Sequence, residues 1–151
     1  AKGLKCLLIA MTHQEGFNPK SRSYRTNNPG NVGNTDSGAN KALKTLEDGI
    51  RLQAEHIEKI IAGQSKFYPL GKMVDIKPYY SPEIAKNPQY GLPPYLPGYK
   101  FVYSGELRQF IKIYSTGARA TNSYINVITS YVADNGLTIY PESKLQDIIK
   151  L

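Results

Sequence analysis

Cysteine is all but missing from this sequence. Cys6 stands alone, so no internal disulfide can form and a reducing compartment is compatible with folding. Its apolar neighbours mark it as a small core residue rather than a nucleophile. Histidine is scarce as well. His13 and His56 show no HExxH or comparable spacing, and one thiol cannot complete a zinc site, so neither a metal nor another cofactor is expected. GxSxG, phosphate-binding and GxGxxG motifs are all absent. The longest apolar run, Leu7 to Met11, is far too short to cross a bilayer, and membrane insertion is not expected. Lys2 and Lys5 ahead of it give a faint likeness to a secretory start. The run continues into a helical pattern without a small-residue cleavage site, so it is read as mature protein.

Blocks of like charge are missing too. The formal charge is +7 and the pI about 9.4, yet no five Lys or Arg residues stand together. This argues against a nucleic-acid-binding arm. It favours long-range attraction to a polyanionic surface, such as an anionic membrane or a wall carrying carboxylates and phosphates. At 151 residues, with 40% hydrophobic and 21% charged residues, the chain fits one soluble domain, residues 1–151, expected as a monomer. Tryptophan is absent but tyrosine occurs twelve times. A tyrosine ring offers an apolar face and a hydroxyl, which suits a sugar ring as well as a protein core.

Turning to pattern, Leu4, Leu7, Leu8 and Met11 recur at the spacing of an amphipathic helix. Four residues further on, that stripe reaches Glu15, and Gly16 supplies a stop. A carboxylate at the C-terminal end of a core-facing stripe is desolvated and faces the negative helix end. Both effects favour its protonated form. Phe17 to Asn34 reads as loop, with a strong turn signal at Asn27-Asn28-Pro29-Gly30-Asn31. Short strands of a small sheet are expected near Val32 and from Ala42 to Leu46, joined through Asp36 to Asn40.

Thr45 and Asp48 have the spacing of a capping box, opening a helix with Ile50, Ala54, Ile57 and Ile61 on its apolar stripe and Gly63 at its end. Residues 64–104 hold seven prolines and seven tyrosines. A long ordered loop is expected there, as a lid, a groove wall or a packed surface wrap, with at most a short helix near Pro82 to Lys86. Three helices should close the chain. The first is capped by Ser104 and carries Leu107, Phe110, Ile111 and Tyr114. The second is capped by Thr121 or Asn122 and carries Tyr124, Ile125, Ile128, Tyr131 and Val132 up to Gly136. The third opens at Pro141 and carries Leu145, Ile148 and Ile149.

With metal and nucleophile signatures missing, carboxylate chemistry remains. Cleavage of a glycosidic bond needs a proton donor at the leaving oxygen and stabilisation of an oxocarbenium-like transition state. Glu15 suits the first role. For the second, the nearby acids are Asp36, Glu47 and Asp48, of which Asp48 has a capping role and Asp36 lies in a Gly/Asn-rich loop.

His13-Gln14-Glu15-Gly16-Phe17-Asn18-Pro19, followed by Arg25-Thr26-Asn27-Asn28-Pro29-Gly30-Asn31, resembles the catalytic region of the lysozyme-like superfamily. The likeness is greatest to phage and bacterial lytic transglycosylase-type and goose-type domains. Leu46-Glu47-Asp48-Gly49-Ile50 resembles the start of their next helix. Tyr114-Ser115-Thr116-Gly117, with Tyr124-Ile125 downstream, resembles their Tyr-Asn-Ala-Gly segment. Two departures stand out: the Gly-Leu-Met-Gln segment of typical transglycosylases is replaced by the Asn-Pro-Gly-Asn turn, and Ser115 stands where Asn is usual.

The resemblance implies an α+β, mainly α, lysozyme-like single domain with a small β-sheet after the catalytic helix. It implies cleavage of peptidoglycan glycan strands, as a muramidase or lytic transglycosylase, by an endolysin or virion-associated enzyme acting on the bacterial wall. By that match Glu15 would be the catalytic acid; Asp36, from the survey of nearby acids, is the candidate second group. Asn28, Asn31, Tyr114, Ser115 and Tyr124 would contact substrate, although Asn28 and Asn31 equally suit holding the turn and Tyr114 equally suits the core. A glucosaminidase of the same superfamily and a non-catalytic wall-binding or virion module are the alternatives.

Overall fold

A computed structural model describes residues 2–33, 41–76, 99–114 and 118–151. Asp36, Ser115 and the expected short helix at Pro82 to Lys86 lie outside them. Six helices and one two-stranded sheet occur among the described residues.

The first helix, α1 (Lys2–Gln14), buries Gly3, Cys6, Leu7, Ala10 and Met11. Its end is a Schellman motif. Phe17 N–H donates to Thr12 C=O (3.4 Å) and Gly16 N–H to His13 C=O (3.2 Å), with Gly16 at φ +73°. Glu15 is therefore the C-cap, its N–H still bonded to Met11 C=O at 3.0 Å.

A short helix, α2 (Arg22–Arg25), follows, capped by the Ser21 hydroxyl, which accepts from Tyr24 N–H. The expected strands near Val32 and over Ala42–Leu46 do not form in the described part of that segment. Side-chain amides take the backbone groups that a ladder would have paired. Asn28 Nδ2 donates to Val32 C=O and Lys41 C=O, while Asn27 Nδ2 donates to Leu43 C=O and Lys44 C=O.

The next helix, α3 (Leu46–Ile61), starts where the sequence predicts, with Thr45 Oγ1 accepting Asp48 N–H at 3.1 Å. Its buried face is rotated from the expected stripe. Gly49, Gln53, Ile57 and Ile60 point inward, and Ile50 is 46% exposed. Gly49 sets this rotation: a Cβ there would meet Asn27 O at 1.8 Å, so only glycine lets the helix lie against the turn.

The sheet lies within the Pro/Tyr-rich stretch, not directly after α1 as expected. Strands β1 (Met73–Ile76) and β2 (Tyr99–Val102) pair antiparallel, with Met73 opposite Val102 and Val74 opposite Phe101. Alternation turns Phe101 and Val74 toward the core and leaves Met73 and Val102 exposed.

Helix α4 (Leu107–Tyr114) buries Leu107, Phe110, Ile111 and Lys112. Ser104 lies ahead of it, its N–H donating to Gln109 Oε1 at 2.7 Å. Helix α5 (Ala118–Asp134) begins before the expected Thr121/Asn122 cap, since Ala118-Arg119-Ala120 favours helix. It ends near Gly136, at φ +78°. Helix α6 (Leu145–Ile148) starts four residues after Pro141, which sits in a turn instead.

The core gathers Leu7, Met11, Ile57, Leu107, Phe110, Ile128 and Leu145, all at or below 1% exposure. Each such side chain contributes roughly 1.5–3 kcal/mol by leaving water. Cys6 belongs to this core at 3% exposure. The arrangement is mainly helical with a small antiparallel sheet. None of the helices searched is long and apolar enough to cross a membrane.

Candidate active site around Glu15

Packing of α1 against α5 brings Glu15 beside Tyr124. The Tyr124 hydroxyl donates to Glu15 Oε1 at 3.1 Å, and the Asn31 side chain makes a second hydrogen bond to the same carboxyl group. Burial raises the Glu15 pKa above its ordinary value, while the bonds from Tyr124 and Asn31 oppose that rise without cancelling it. The negative end of α1 is expected to act in the same direction as burial. In the structure burial is the leading cause, acting on a half-buried carboxyl group held from two sides.

The Asn-Pro-Gly-Asn turn is built to present Asn31. Asn27 and Asn31 both sit in the left-handed region, at φ 53° and 50°, which Asn tolerates better than other side chains. Asn31 N–H closes the turn on Asn28 C=O at 3.0 Å. Asn28 is fully buried, and its carboxamide accepts Val32 N–H while donating to the two carbonyls named above. It braces the turn and presents no group to solvent. A Cβ on Gly30 would lie 2.8 Å from Gln53 Cγ, so any larger residue there would displace the Gln53 side chain.

Tyr114 joins the turn from the other side, donating its hydroxyl to Gly30 C=O. Its ring stands edge-on to Tyr124, with centroids 6.3 Å apart, and also packs on Phe110 at 5.6 Å. Burial, then the neighbouring Glu15 charge, drives both phenols to higher pKa, so both remain neutral donors. Of the residues expected at the site, the structure thus brings together Glu15, Asn31, Tyr124 and, through Gly30, Tyr114 and Asn28. Tyr124 and Tyr114 have their hydroxyls engaged within the protein.

The other acids considered from sequence stand apart in role. Glu47 is exposed at the start of α3, and Asp48 pairs with Arg51 at 3.5 Å. Among the described residues, the side chains that act on Glu15's ionisation are Tyr124 and Asn31; no second carboxylate joins them. No group of three His, Cys, Asp or Glu side chains is placed to hold a metal ion among the described residues.

Three buried polar residues carry no expectation from the sequence: Ser23 in α2, at 1% exposure, and the two that follow. Gln53 is 1% exposed on the inner face of α3, and Lys112 is 3% exposed on α4. The available signal was positional. Gln53 falls four residues before Ile57 and four after Gly49, and Lys112 falls beside Ile111. Comparison of the chain with protein-family models, curated proteins and solved structures finds no match.

Proposed function

We propose that this chain is a glycosidase that cleaves the glycan strands of bacterial peptidoglycan, with Glu15 as general acid. The observation that carries the reading is Glu15 itself: a half-buried carboxyl group with raised pKa, oriented by Tyr124 and Asn31. A carboxyl group whose pKa is raised by burial holds its proton to higher pH than usual and can protonate a leaving glycosidic oxygen. The lysozyme-like likeness of the Glu15 and Asn27–Asn31 segments supplies the substrate class, and the +7 charge suits approach to an anionic wall.

Within this reading the bond cut is the β-1,4 link of a muramidase or lytic transglycosylase, acting as a monomeric endolysin or virion-associated enzyme. Where no second carboxylate stands close to Glu15, the resemblance implies a transglycosylase course. Glu15 first gives its proton to the leaving oxygen. As the resulting carboxylate it then takes the proton of the sugar's own 6-hydroxyl, which closes a 1,6-anhydro ring without water. Asp36 is the candidate second acid for a hydrolytic course. The test is turbidity loss of purified wall by the parent and Glu15→Gln chains, with mass spectrometry of the digest. Anhydro-muramic ends support transglycosylation, reducing muramic ends a muramidase, and reducing glucosamine ends a glucosaminidase. Undiminished lysis by Glu15→Gln overturns the catalytic assignment.

A further inference from the structure

Two successive inward positions of α3 support the Asn27–Asn31 turn. At the first, Gly49, a Cβ would meet Asn27 O at 1.8 Å and Pro29 Cδ at 2.9 Å. One helical turn later stands Gln53, and Gly30 rests on it. A Cβ on Gly30 would lie 2.8, 2.9 and 3.0 Å from Gln53 Cγ, Cδ and Nε2. Gly49 thus sets how closely the start of the turn approaches the helix, and Gln53 does the same for its end.

Gly30 is held at a second point, where its carbonyl oxygen accepts the Tyr114 hydroxyl. The residue that follows is Asn31, whose side chain hydrogen-bonds the Glu15 carboxyl group. A chain of contacts therefore runs from the inner face of α3 through Gly30 to the acid.

Folding alone does not account for a glutamine at the base of this chain. Gln53 is 1% exposed, and neither its Nε2 nor its Oε1 has a hydrogen-bond partner among the described residues. Each group forfeits its bonds to water, a loss that an apolar side chain of the same length would not bear. What the carboxamide offers here is shape. It is flat, and three of its consecutive atoms lie within 3.0 Å of one point beside Gly30, so it runs along the glycine. A branched side chain would stand out further and lift the turn, and a shorter one would leave it unsupported.

We propose that Gln53 is a positioning residue, carrying Gly30 at the height that brings the Asn31 side chain onto Glu15. It acts through Gly30 and Asn31 and touches no reacting atom. Its bearing on catalysis rests on the glycan-cleaving reading of Glu15, whereas the chain of contacts does not.

The test is the titration of Glu15, followed through the 13C resonance of its side-chain carboxyl group in the full-length chain. The variants are Gln53→Ala, Gly30→Ala and the two combined. Gln53→Ala removes the support and Gly30→Ala forces turn and support apart, so each should loosen the Asn31 bond. That bond favours the ionised form, so the midpoint should move to higher pH in both. In the double variant the added Cβ takes up space that the carboxamide leaves, and the midpoint should return toward the parent's. A role in packing alone would lower stability and leave the midpoint in place. An unchanged midpoint in Gln53→Ala, or a double variant no closer to the parent than its single variants, overturns the inference. Should Gly30→Ala fail to fold, Gln53→Ala compared with the parent still decides. Where lysis depends on Glu15, the alkaline limb of its pH–rate profile should move with the midpoint, and a limb that stays put overturns the bearing on catalysis. Undiminished lysis by Glu15→Gln removes the glycan-cleaving reading but leaves the titration to decide the contact chain. Lysis that depends on Glu15 beside an unmoved Gln53→Ala midpoint overturns this inference alone.

Discussion

Tyr124 and Glu15 stand 109 positions apart in sequence, yet the tyrosine hydroxyl donates to the carboxylate at 3.1 Å. That bond favours the ionised carboxyl group, against the burial that favours the neutral one. In Tyr124→Phe the opposing influence is lost, and the Glu15 pKa should rise further. If Glu15 is the acid, the alkaline limb of the pH–rate profile for wall lysis moves to higher pH. A profile whose alkaline limb stays in place would remove Tyr124 from control of the acid. The stability cost should be about 1 kcal/mol, read from urea unfolding.

Glu15 itself links pH to folding. Its folded pKa is raised above 4.5, so its favourable contribution is complete below that pH and is lost as pH rises through the folded pKa. Glu15→Gln removes the penalty of burying the charge. The variant should melt higher than the parent at pH 7, by roughly 2–4 °C for ~1 kcal/mol, with the difference shrinking toward pH 4. Lysis should fall by about 100-fold or more, as expected when a general acid is removed. Calorimetry at the two pH values, beside turbidity assays, checks both halves.

Gly49 and Gly3 separate site damage from general damage. A Cβ at Gly49 would strike Asn27 O at 1.8 Å, and one at Gly3 would strike Ile148 O at 1.9 Å. Each alanine variant should lose ~1–3 kcal/mol through forced backbone shifts. Gly49→Ala displaces the turn that carries Asn31, so lysis per folded molecule should fall. Gly3→Ala strains the α1–α6 contact, and lysis per folded molecule should hold. Equal activity losses in the two variants would contradict this division.

Lys112 should give the protein an alkaline gain in stability. Burial, aided by Arg108, lowers its pKa from 10.5 to about 7. The unfolded chain then binds more protons between about pH 7 and 10.5, so this residue makes stability rise across that window. Below about pH 7 the charge stays inside and the stability is at its lower plateau. Lys112→Met should therefore raise Tm most below pH 7, on the order of 1 kcal/mol, and flatten the slope above it. Melting curves from pH 6 to 10 provide the check.

The legible parts of the fold were those governed by local periodicity and caps. Leu4, Leu7, Leu8 and Met11 with Gly16 marked α1, and Thr45 marked the start of α3, because these signals act within one helix turn. The small sheet was misplaced because Asn27 and Asn28 satisfy backbone groups through their side chains, a pairing that no strand pattern records. Strands β1 and β2 were hidden because a pairing of Met73 with Val102 depends on chain closure rather than local preference. The rotation of α3 was equally invisible, since it follows from Gly49 meeting the Asn27 carbonyl.

At the site, Glu15 was readable as a stripe ending in an acid. Tyr124 was singled out by likeness, but its bond to Glu15 is set by the packing of α1 on α5. Gln53 gave no sequence signal strong enough to separate it from a solvated helix residue.

The chain's single thiol has a use that follows from where it sits. Cys6 is 3% exposed and rides on the same helix as Glu15. A thiol reagent can reach it only when that helix lifts away from its neighbours. Its alkylation rate is therefore a chemical clock, intrinsic to the native sequence, for how often the acid-bearing helix comes undone.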